Sequence, residues 1–148
     1  MFLTDNDIRK FGIHMSEDDI KPSSLNLHVS KTYDSNDGPK DIKGRGFPMG
    51  GFEYPRHMTF VTEEKITLDK STIGLIFGRQ THALQNVLVF PGLVHPTFSG
   101  YLLLQVVCLS GKAIIEKGDP IAYITFAKTG SDNEKTVDNE QRNRKLGL

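Results

Sequence analysis

Apolar residues recur along this chain in short runs, and most of these runs have the period or the composition of β-strands. At residues 24–30 (SLNLHVS) every second residue is apolar, which predicts a strand with one buried face. Residues 87–90 and 101–109 are near-continuous apolar runs, which are typical of central strands. Further strands are predicted at residues 58–68, 72–77, 112–115 and 121–126. Many short strands with little helix predict an all-β barrel or jelly roll.

The start of the chain has the pattern of a short helix over residues 4–11. Thr4 is a suitable N-cap, Asp7 stands at the third helical position of a capping box, and Gly12 can end the helix. Residues 34–51 are rich in Gly, Pro, Asn and Asp, which predicts a long loop, and long loops of this kind are often functional.

The bulk composition describes one domain without a strong charge preference. The 148 residues suit a single domain with its own core, and 18 basic residues balance 18 acidic ones. Zero net charge gives no steering toward nucleic acid or anionic lipid. The sequence has neither a signal-peptide pattern nor an apolar run of about 20 residues, so we expect a cytoplasmic location and no membrane partner. The single cysteine, Cys108, lies in an apolar run and is expected to be buried.

The composition changes near residue 128 and divides the chain into a β-barrel domain (residues 1–128) and a polar tail (residues 129–148). Only three residues of the tail are apolar, so its composition alone predicts disorder. Because the tail has too few apolar residues to order itself, we expect any order in it to come from a neighbouring subunit or another partner.

Two sets of residues are candidates for an interaction with such a partner. Phe47 lies in the predicted loop, and Phe52 and Tyr54 follow it directly. The three aromatic residues could form a contact surface, or they could cap the end of the barrel. Arg142 and Arg144 in the tail could contact nucleic acid or protein, and the zero net charge favours protein.

Four segments, in order and at similar spacing, resemble the trimeric dUTPase and dCTP deaminase superfamily. The segments are IKPSSLNLHVS at residues 20–30, GRQTHAL at 78–84, GLVHPTFSGYLLLQV at 92–106 and KGDPIAYITF at 117–126. The resemblance implies a dUTPase-like barrel or jelly roll that forms a homotrimer, with sites between its subunits. It also implies a deoxynucleotide as a possible ligand.

The resemblance assigns three positions to ligand contacts. Arg79 and Thr81 stand in the segment that is similar to the phosphate-binding turn of the family, and Phe98 occupies the aromatic position next to the sugar. A guanidinium suits a phosphate because its planar fork donates two parallel hydrogen bonds. The alternative for Arg79 is an ion pair between subunits.

Other family positions carry a different residue, and these replacements change the chemistry. Asn26 stands at an Asp position and would hold hydrated magnesium more weakly than a carboxylate. Gln105 stands at the position of a deaminase Glu and cannot take a proton from water. His95 replaces an Asp that orients or activates water in dUTPases; it could act as a base near neutral pH or simply fill a turn or an interface. His28 and His82 could join His95 as metal ligands, but scattered histidines predict no metal site.

These replacements predict a non-catalytic homotrimer without a cofactor that serves as a structural or interaction module, for example as a capsid-associated or decoration protein of a virus. The Gly-rich fifth segment of dUTPases, with its Arg and stacking Phe, has no match in the tail. The alternative is an active dUTP pyrophosphatase or dCTP deaminase, in which Arg79 binds phosphate, His95 is the base and Mg²⁺ is the cofactor. A regulator that binds a nucleotide without converting it is a third hypothesis.

Overall fold

A computed structural model of the chain describes residues 1–13, 16–42, 47–48, 56–109 and 114–148, and in these ranges strands dominate. The helices are α1 (Asp5–Arg9), α2 (Gln80–Ala83) and α3 (Asn139–Leu146), with a 3₁₀ turn at Glu17–Asp19. The strands are β1 (Ile20–Lys21), β2 (Ser24–Asp34), β3 (Gly38–Asp41), β4 (Phe47–Pro48), β5 (Arg56–Thr67), β6 (Thr72–Gly78), β7 (Val87–Val89), β8 (Gly92–Val94), β9 (Ser99–Cys108), β10 (Ile114–Ile115) and β11 (Pro120–Lys128). The predicted all-β class with a short N-terminal helix is confirmed. Within the same ranges, no helix combines the length and apolar composition that crossing a bilayer would require.

One antiparallel sheet forms most of the fold, with the strand order β7-β9-β5-β2-β11-β6-β8. The sheet curls until the end of β6 packs against β7. Gly78 marks this contact, because a Cβ at this position would lie 3.3 Å from the Cβ of Val89. This curled sheet encloses a core whose largest fully buried side chains include Phe60 and Phe126.

Strand β2 joins the two halves of the sheet. Its first residues pair with β11, and its last residues pair with β5. The pairing with β5 shifts register between Val29 and Lys31, which is the mark of a β-bulge that bends a strand. Between residues 25 and 29 every side chain of β2 is buried. The predicted alternation of one buried and one solvated face is therefore wrong here, because Asn26 and His28 are covered as well as the apolar residues.

The N-terminal helix forms as its caps predict. The Thr4 hydroxyl accepts a hydrogen bond from the Asp7 amide, and the Asp7 carboxylate accepts one from the Thr4 amide at 3.1 Å, which completes the capping box. The predicted loop at residues 34–51 is partly wrong, since β3 pairs with the end of β2 and β4 pairs with β10. Cys108 is buried, as predicted.

The polar tail is ordered against its own barrel, so the disorder that its composition predicts is wrong. Asp138 caps helix α3 by accepting a hydrogen bond from the Gln141 amide at 3.0 Å, and Gly147 ends the helix with a φ of 70°. That a neighbouring subunit also holds the tail stays a prediction.

Candidate functional site

The turn after β6 carries the first candidate, Arg79. Its Nη1 donates a hydrogen bond to the carbonyl oxygen of Pro120 at 2.9 Å, and its guanidinium carbon lies 5.5 Å from the centre of the Tyr123 ring. In the described part of the chain, the buried Nε of Arg79 has no hydrogen-bond partner, and the same holds for Nδ1 of His82 on α2. Burial and the nearby Arg79 charge lower the pKa of His82 below its ordinary value. This corner therefore combines the positive charge of Arg79 with a buried donor that lacks a partner among the described residues.

His95 and Phe98 lie at the opposite end of the β6–β8 pair. Gly74, near the start of β6, pairs with Val94, which is next to His95. Arg79 follows the other end of β6, five residues after Gly74. At a rise of about 3.3 Å per residue this separation is roughly 16 Å. One chain therefore does not bring Arg79 and His95 onto the same phosphate group.

His95 itself is exposed in a cleft of about 290 Å³ that it shares with tail residues such as Asn133 and Lys135. In the described ranges no carboxylate is bonded to its ring. A histidine base is usually oriented by such a carboxylate, so the arrangement at His95 lacks the usual support for proton transfer.

Gln105 lies in a second cleft of about 410 Å³, between β5 and β9. Its side-chain oxygen accepts a hydrogen bond from the Thr59 hydroxyl at 2.8 Å and lies 2.7 Å from Nε2 of His57. Thr59 is directly opposite Gln105 in the sheet. The amide oxygen is thus fixed as a hydrogen-bond acceptor, and an amide does not act as a base at this position.

A buried polar cluster on β2 and β5 is the largest departure from what the sequence pattern indicates. Nδ1 of His28 contacts the Glu64 carboxylate, and Nε2 lies 3.0 Å from the Asp19 carboxylate. Both oxygens of Glu64 also accept from the His28 amide, at 3.0 and 3.2 Å. Asn26 donates to Asp19 at 3.4 Å, while its own Oδ1 has no partner within the described residues. Thr62 closes the cluster by donating to the Glu64 carbonyl oxygen at 2.9 Å.

The electrostatics of this cluster favour a proton held between the groups. Burial opposes the charge of His28, but hydrogen bonds and charges from Glu64 and Asp19 outweigh it and raise the pKa of His28. Burial raises the pKa of Glu64, which is only 2% exposed, and His28 offsets part of this effect. The imidazole therefore links two carboxylates, and the cluster stabilises the junction between β2, β5 and the 3₁₀ turn.

Folding stability should fall as the pH rises from about 5 to above 6.5, the ordinary pKa of histidine, because the folded protein raises the pKa of both His28 and Glu64. A raised pKa means that the folded protein holds the proton more tightly than the unfolded chain. The contribution of His28 is complete below its ordinary pKa of 6.5 and is lost as the pH rises through the raised value, and Glu64 acts in the same direction above 4.5. Urea denaturation across this range measures the slope. A Glu64→Gln variant with the same slope as the native chain would contradict this assignment.

The cluster does not fit Mg²⁺, which prefers several oxygen ligands in a near-octahedral arrangement. The carboxylates of Asp19 and Glu64 are already bonded to His28, which stands between them. More generally, the described residues contain no group of three or more His, Cys, Asp and Glu side chains placed to hold a metal ion. Of the histidines considered together in the sequence, His28, His82 and His95 lie in three separate places.

The remaining candidates are spread over the surface. Thr81 is exposed on α2, and Arg144 is exposed on α3 with its Nη2 3.8 Å from Glu140. Phe52 and Tyr54 lie outside the described residues, as does the side chain of Phe47.

Sequence reasoning missed Asp19, Glu64 and His57. A signal for Glu64 was available, because strict alternation along β5 places it on the same face as Phe60 and Ile66. His57 carries no comparable signal, since its partner Gln105 lies 48 residues away in the sequence. The partners of Asp19 are closer, at Asn26 and His28, but alternation along β2 does not indicate that the turn before β1 covers them.

Comparison with known proteins identifies the protein family to which this chain belongs. The dUTPase family model matches residues 53–146. A probable deoxyuridine 5'-triphosphate nucleotidohydrolase of Sulfolobus islandicus rod-shaped virus 1 is 26% identical over 98% of this chain and 95% of its own length. A dCTP deaminase of Metallosphaera sedula is 27% identical over 86% of this chain and 73% of its own.

Solved structures show the same fold. The dCTP deaminase of Agrobacterium tumefaciens superposes with a TM-score of 0.70 at 13% identity over 87% of this chain, and this chain spans 48% of that deaminase. A mutant dUTPase of Staphylococcus bacteriophage 80alpha with dUpNHpp superposes with a TM-score of 0.55 at 12% identity, covering 80% of this chain and 87% of that one. With the family model matching more than half of its residues, this chain belongs to the dUTPase family, within the superfamily that dUTPases share with dCTP deaminases.

Proposed function

We propose that this protein is a non-catalytic homotrimer of the dUTPase type that binds a deoxynucleotide and acts through its surface. The observation that carries the proposal is Gln105, whose amide oxygen is fixed by Thr59 and His57 inside the β5–β9 cleft. A neutral amide has no useful pKa, so it cannot activate water as a carboxylate does. The exposed His95 has no bonded carboxylate among the described residues, which supports the same conclusion.

Arg79 supports the binding part of the proposal. Its Nε is buried without a partner in the described ranges, and only Nη1 is used in binding the Pro120 carbonyl oxygen. A phosphate oxygen would satisfy the free donor and the charge at the same time. An anionic ligand would suit this corner, and the resemblance of this turn to the phosphate-binding segment of the family leads us to propose a nucleoside phosphate.

The homotrimer has a suitable contact surface on the outside of the sheet. We define the outer apolar face as Ile73, Leu75, Phe77, Leu93 and Tyr123, which are the outward residues of three neighbouring strands. Leu93 pairs with Leu75, Tyr123 pairs with Phe77, and the residues that alternate with them on β6 are buried. Phe77 is 48% exposed and Leu93 is 52% exposed. Covering this face with a second copy would remove apolar area from water and would bring Arg79, which stacks on Tyr123, to the edge of the contact.

Leu93→Asp should convert the trimer to a monomer at about 10 µM protein, because an unpaired buried carboxylate costs several kcal/mol in each contact. Size-exclusion chromatography with light scattering measures the mass. Leu109→Asp is the matched control, since Leu109 is a 46% exposed leucine outside the outer apolar face. A trimeric Leu93→Asp protein would exclude this face from the contact.

The test of the proposed function is a turnover assay on the purified trimer with dUTP and dCTP separately, in the presence of Mg²⁺. The expected result is no enzyme-like release of pyrophosphate or ammonia from either nucleotide. Product formation at an enzyme-like rate would overturn the non-catalytic proposal.

An altered enzyme is the second candidate, and the two enzyme relatives that match most of this chain favour it. In that case His95 of one subunit would act as the base on a nucleotide whose phosphate is bound by Arg79 of another subunit. The reason is that the two residues lie roughly 16 Å apart within one chain. His95→Ala would then abolish turnover while the trimer persists. Turnover that is unchanged in His95→Ala would remove this mechanism.

For the partner, we propose another protein or a larger assembly that contacts the trimer. The relative encoded by a rod-shaped virus motivates the specific hypothesis of a virion-associated protein. Mass spectrometry of purified virus particles tests this hypothesis. Absence of the protein from these particles would count against it.

A further inference from the structure

The tail and the turn before β9 are joined by a specific set of polar contacts. Asn139 donates to the Thr97 carbonyl oxygen at 2.8 Å and accepts from the Ser99 amide at 2.8 Å, so its side-chain amide pairs as the peptide group of a neighbouring strand would. The Val137 amide donates to the Thr97 hydroxyl at 2.8 Å, and Asn143 donates to the Ser99 carbonyl oxygen at 3.1 Å. The tail therefore covers residues 97–101.

The centre of this contact is Arg142. Its guanidinium carbon lies 4.7 Å from the centre of the Phe98 ring, and its Nη2 donates to the Tyr101 carbonyl oxygen at 3.0 Å. Phe98 is only 7% exposed, because core residues pack against it and Arg142 lies over a face of its ring. A ligand can therefore stack on that face only after Arg142 has moved away.

The tail also packs closely against the backbone of Gly100. A Cβ at Gly100 would lie 2.8 Å from Oδ1 of Asn143, so the tail approaches the bare backbone at this position. The tail can approach this closely because Gly100 has no side chain.

Helix α3 is short, with eight residues, and buries none of them, so little free energy should hold it against the barrel. A helix this short is marginal in isolation, and apart from the contact of Arg142 with the Phe98 ring, its contacts with residues 97–101 are hydrogen bonds that water can replace. Beneath it, a cleft of about 290 Å³ is lined by Leu93, His95, Phe98 and Arg142. Release of Arg142 would open an aromatic ring in an apolar cleft with an imidazole at its edge, which suits a flat polar ligand such as a nucleoside.

We propose that helix α3 competes with the nucleotide from within the same chain, with Arg142 occupying the face of Phe98 that the nucleoside needs. The proposal rests on the nucleotide binding proposed above. The nucleotide binds the released form, so its apparent affinity is reduced by the fraction of molecules in which the tail is docked. A partner that holds the tail away from the barrel would strengthen nucleotide binding.

The test uses the full chain and the α,β-imido analogue of dUTP, with its dCTP counterpart as a second probe. Isothermal titration calorimetry compares the native protein with Arg142→Ala and with the matched control Arg144→Ala, an exposed arginine on the same helix. We expect Arg142→Ala to bind at least about 10-fold more tightly, as loss of a 90% docked fraction would give. Arg144→Ala should match the native protein. Hydrogen exchange of the α3 amides should accelerate when the analogue binds the native protein.

The outcomes separate this inference from the proposed function. Equal affinity of the native protein and Arg142→Ala, or weaker binding by Arg142→Ala, would overturn the competition and leave nucleotide binding intact. No binding by the native protein together with binding by Arg142→Ala would support the competition in its strongest form. No binding by any of the three proteins would overturn both the competition and the proposed nucleotide binding.

Discussion

Replacing His28 by alanine should lower the free energy of unfolding by about 3–5 kcal/mol, the loss expected when one partner of a buried ion pair is removed. The imidazole stands between the carboxylates of Glu64 and Asp19, and all three groups are buried. Without it, two carboxyl groups lose their shared partner and one of them must take up a proton to remain buried. Urea denaturation at about pH 7 measures the change.

The matched control is an ion pair on the surface. Lys40 lies 2.7 Å from Asp37, and both side chains are more than half exposed, so Lys40→Ala should leave the free energy of unfolding almost unchanged. A second check is the double variant His28→Ala with Glu64→Ala, whose loss should be smaller than the sum of the two single losses because the groups act together. A loss below about 1 kcal/mol in His28→Ala would show that the cluster is not a stabilising junction.

Arg79→Ala should weaken binding of the α,β-imido analogue of dUTP by at least about 30-fold, and by up to several thousand-fold, because truncation of a buried charge that bonds a ligand costs about 2–5 kcal/mol. The buried Nε of Arg79 and its positive charge are the groups available to a phosphate. Calorimetry on the trimer gives the dissociation constant.

Arg9→Ala is the control for the loss of one positive charge, since Arg9 lies on α1 and is bonded to Glu17. Arg79 also holds the Pro120 carbonyl oxygen, so the thermal midpoint of the variant is measured alongside its affinity. Unchanged affinity combined with dissociation of the trimer would assign Arg79 to an ion pair between subunits instead.

The architecture was largely predictable because its signals are local. The capping residues around α1 and the apolar runs of the central strands mark their elements within a few residues of sequence. The polar tail carries no such signal. Helix α3 lacks an apolar stripe, and what holds it is the pairing of Asn139, Arg142 and Asn143 with backbone groups some 40 residues away.

The site was predictable only in part, for a related reason. Alternation along β2 marks Asn26 and His28 as solvent-facing, yet the 3₁₀ turn and β5 bring Asp19 and Glu64 onto them. A period of two indicates which residues share a face but not what covers that face. The resemblance located Arg79, His95 and Gln105, but only the register of β6 with β8 shows that Arg79 and His95 are far apart within one chain.

The central position of β2 determines when this protein can fold during its synthesis. Leu27 pairs with Ala122, so the ribosome must add 95 more residues (122 − 27 = 95) before this part of β2 can pair with β11. At about 5–20 residues per second this takes on the order of 5–20 seconds. During that interval the apolar residues of β2 lie next to an unpaired strand edge, and neighbouring nascent chains offer the same edge. We therefore expect the central strand to remain without its β11 partner during most of synthesis, and we expect the yield of native protein to depend on translation rate and chaperone supply.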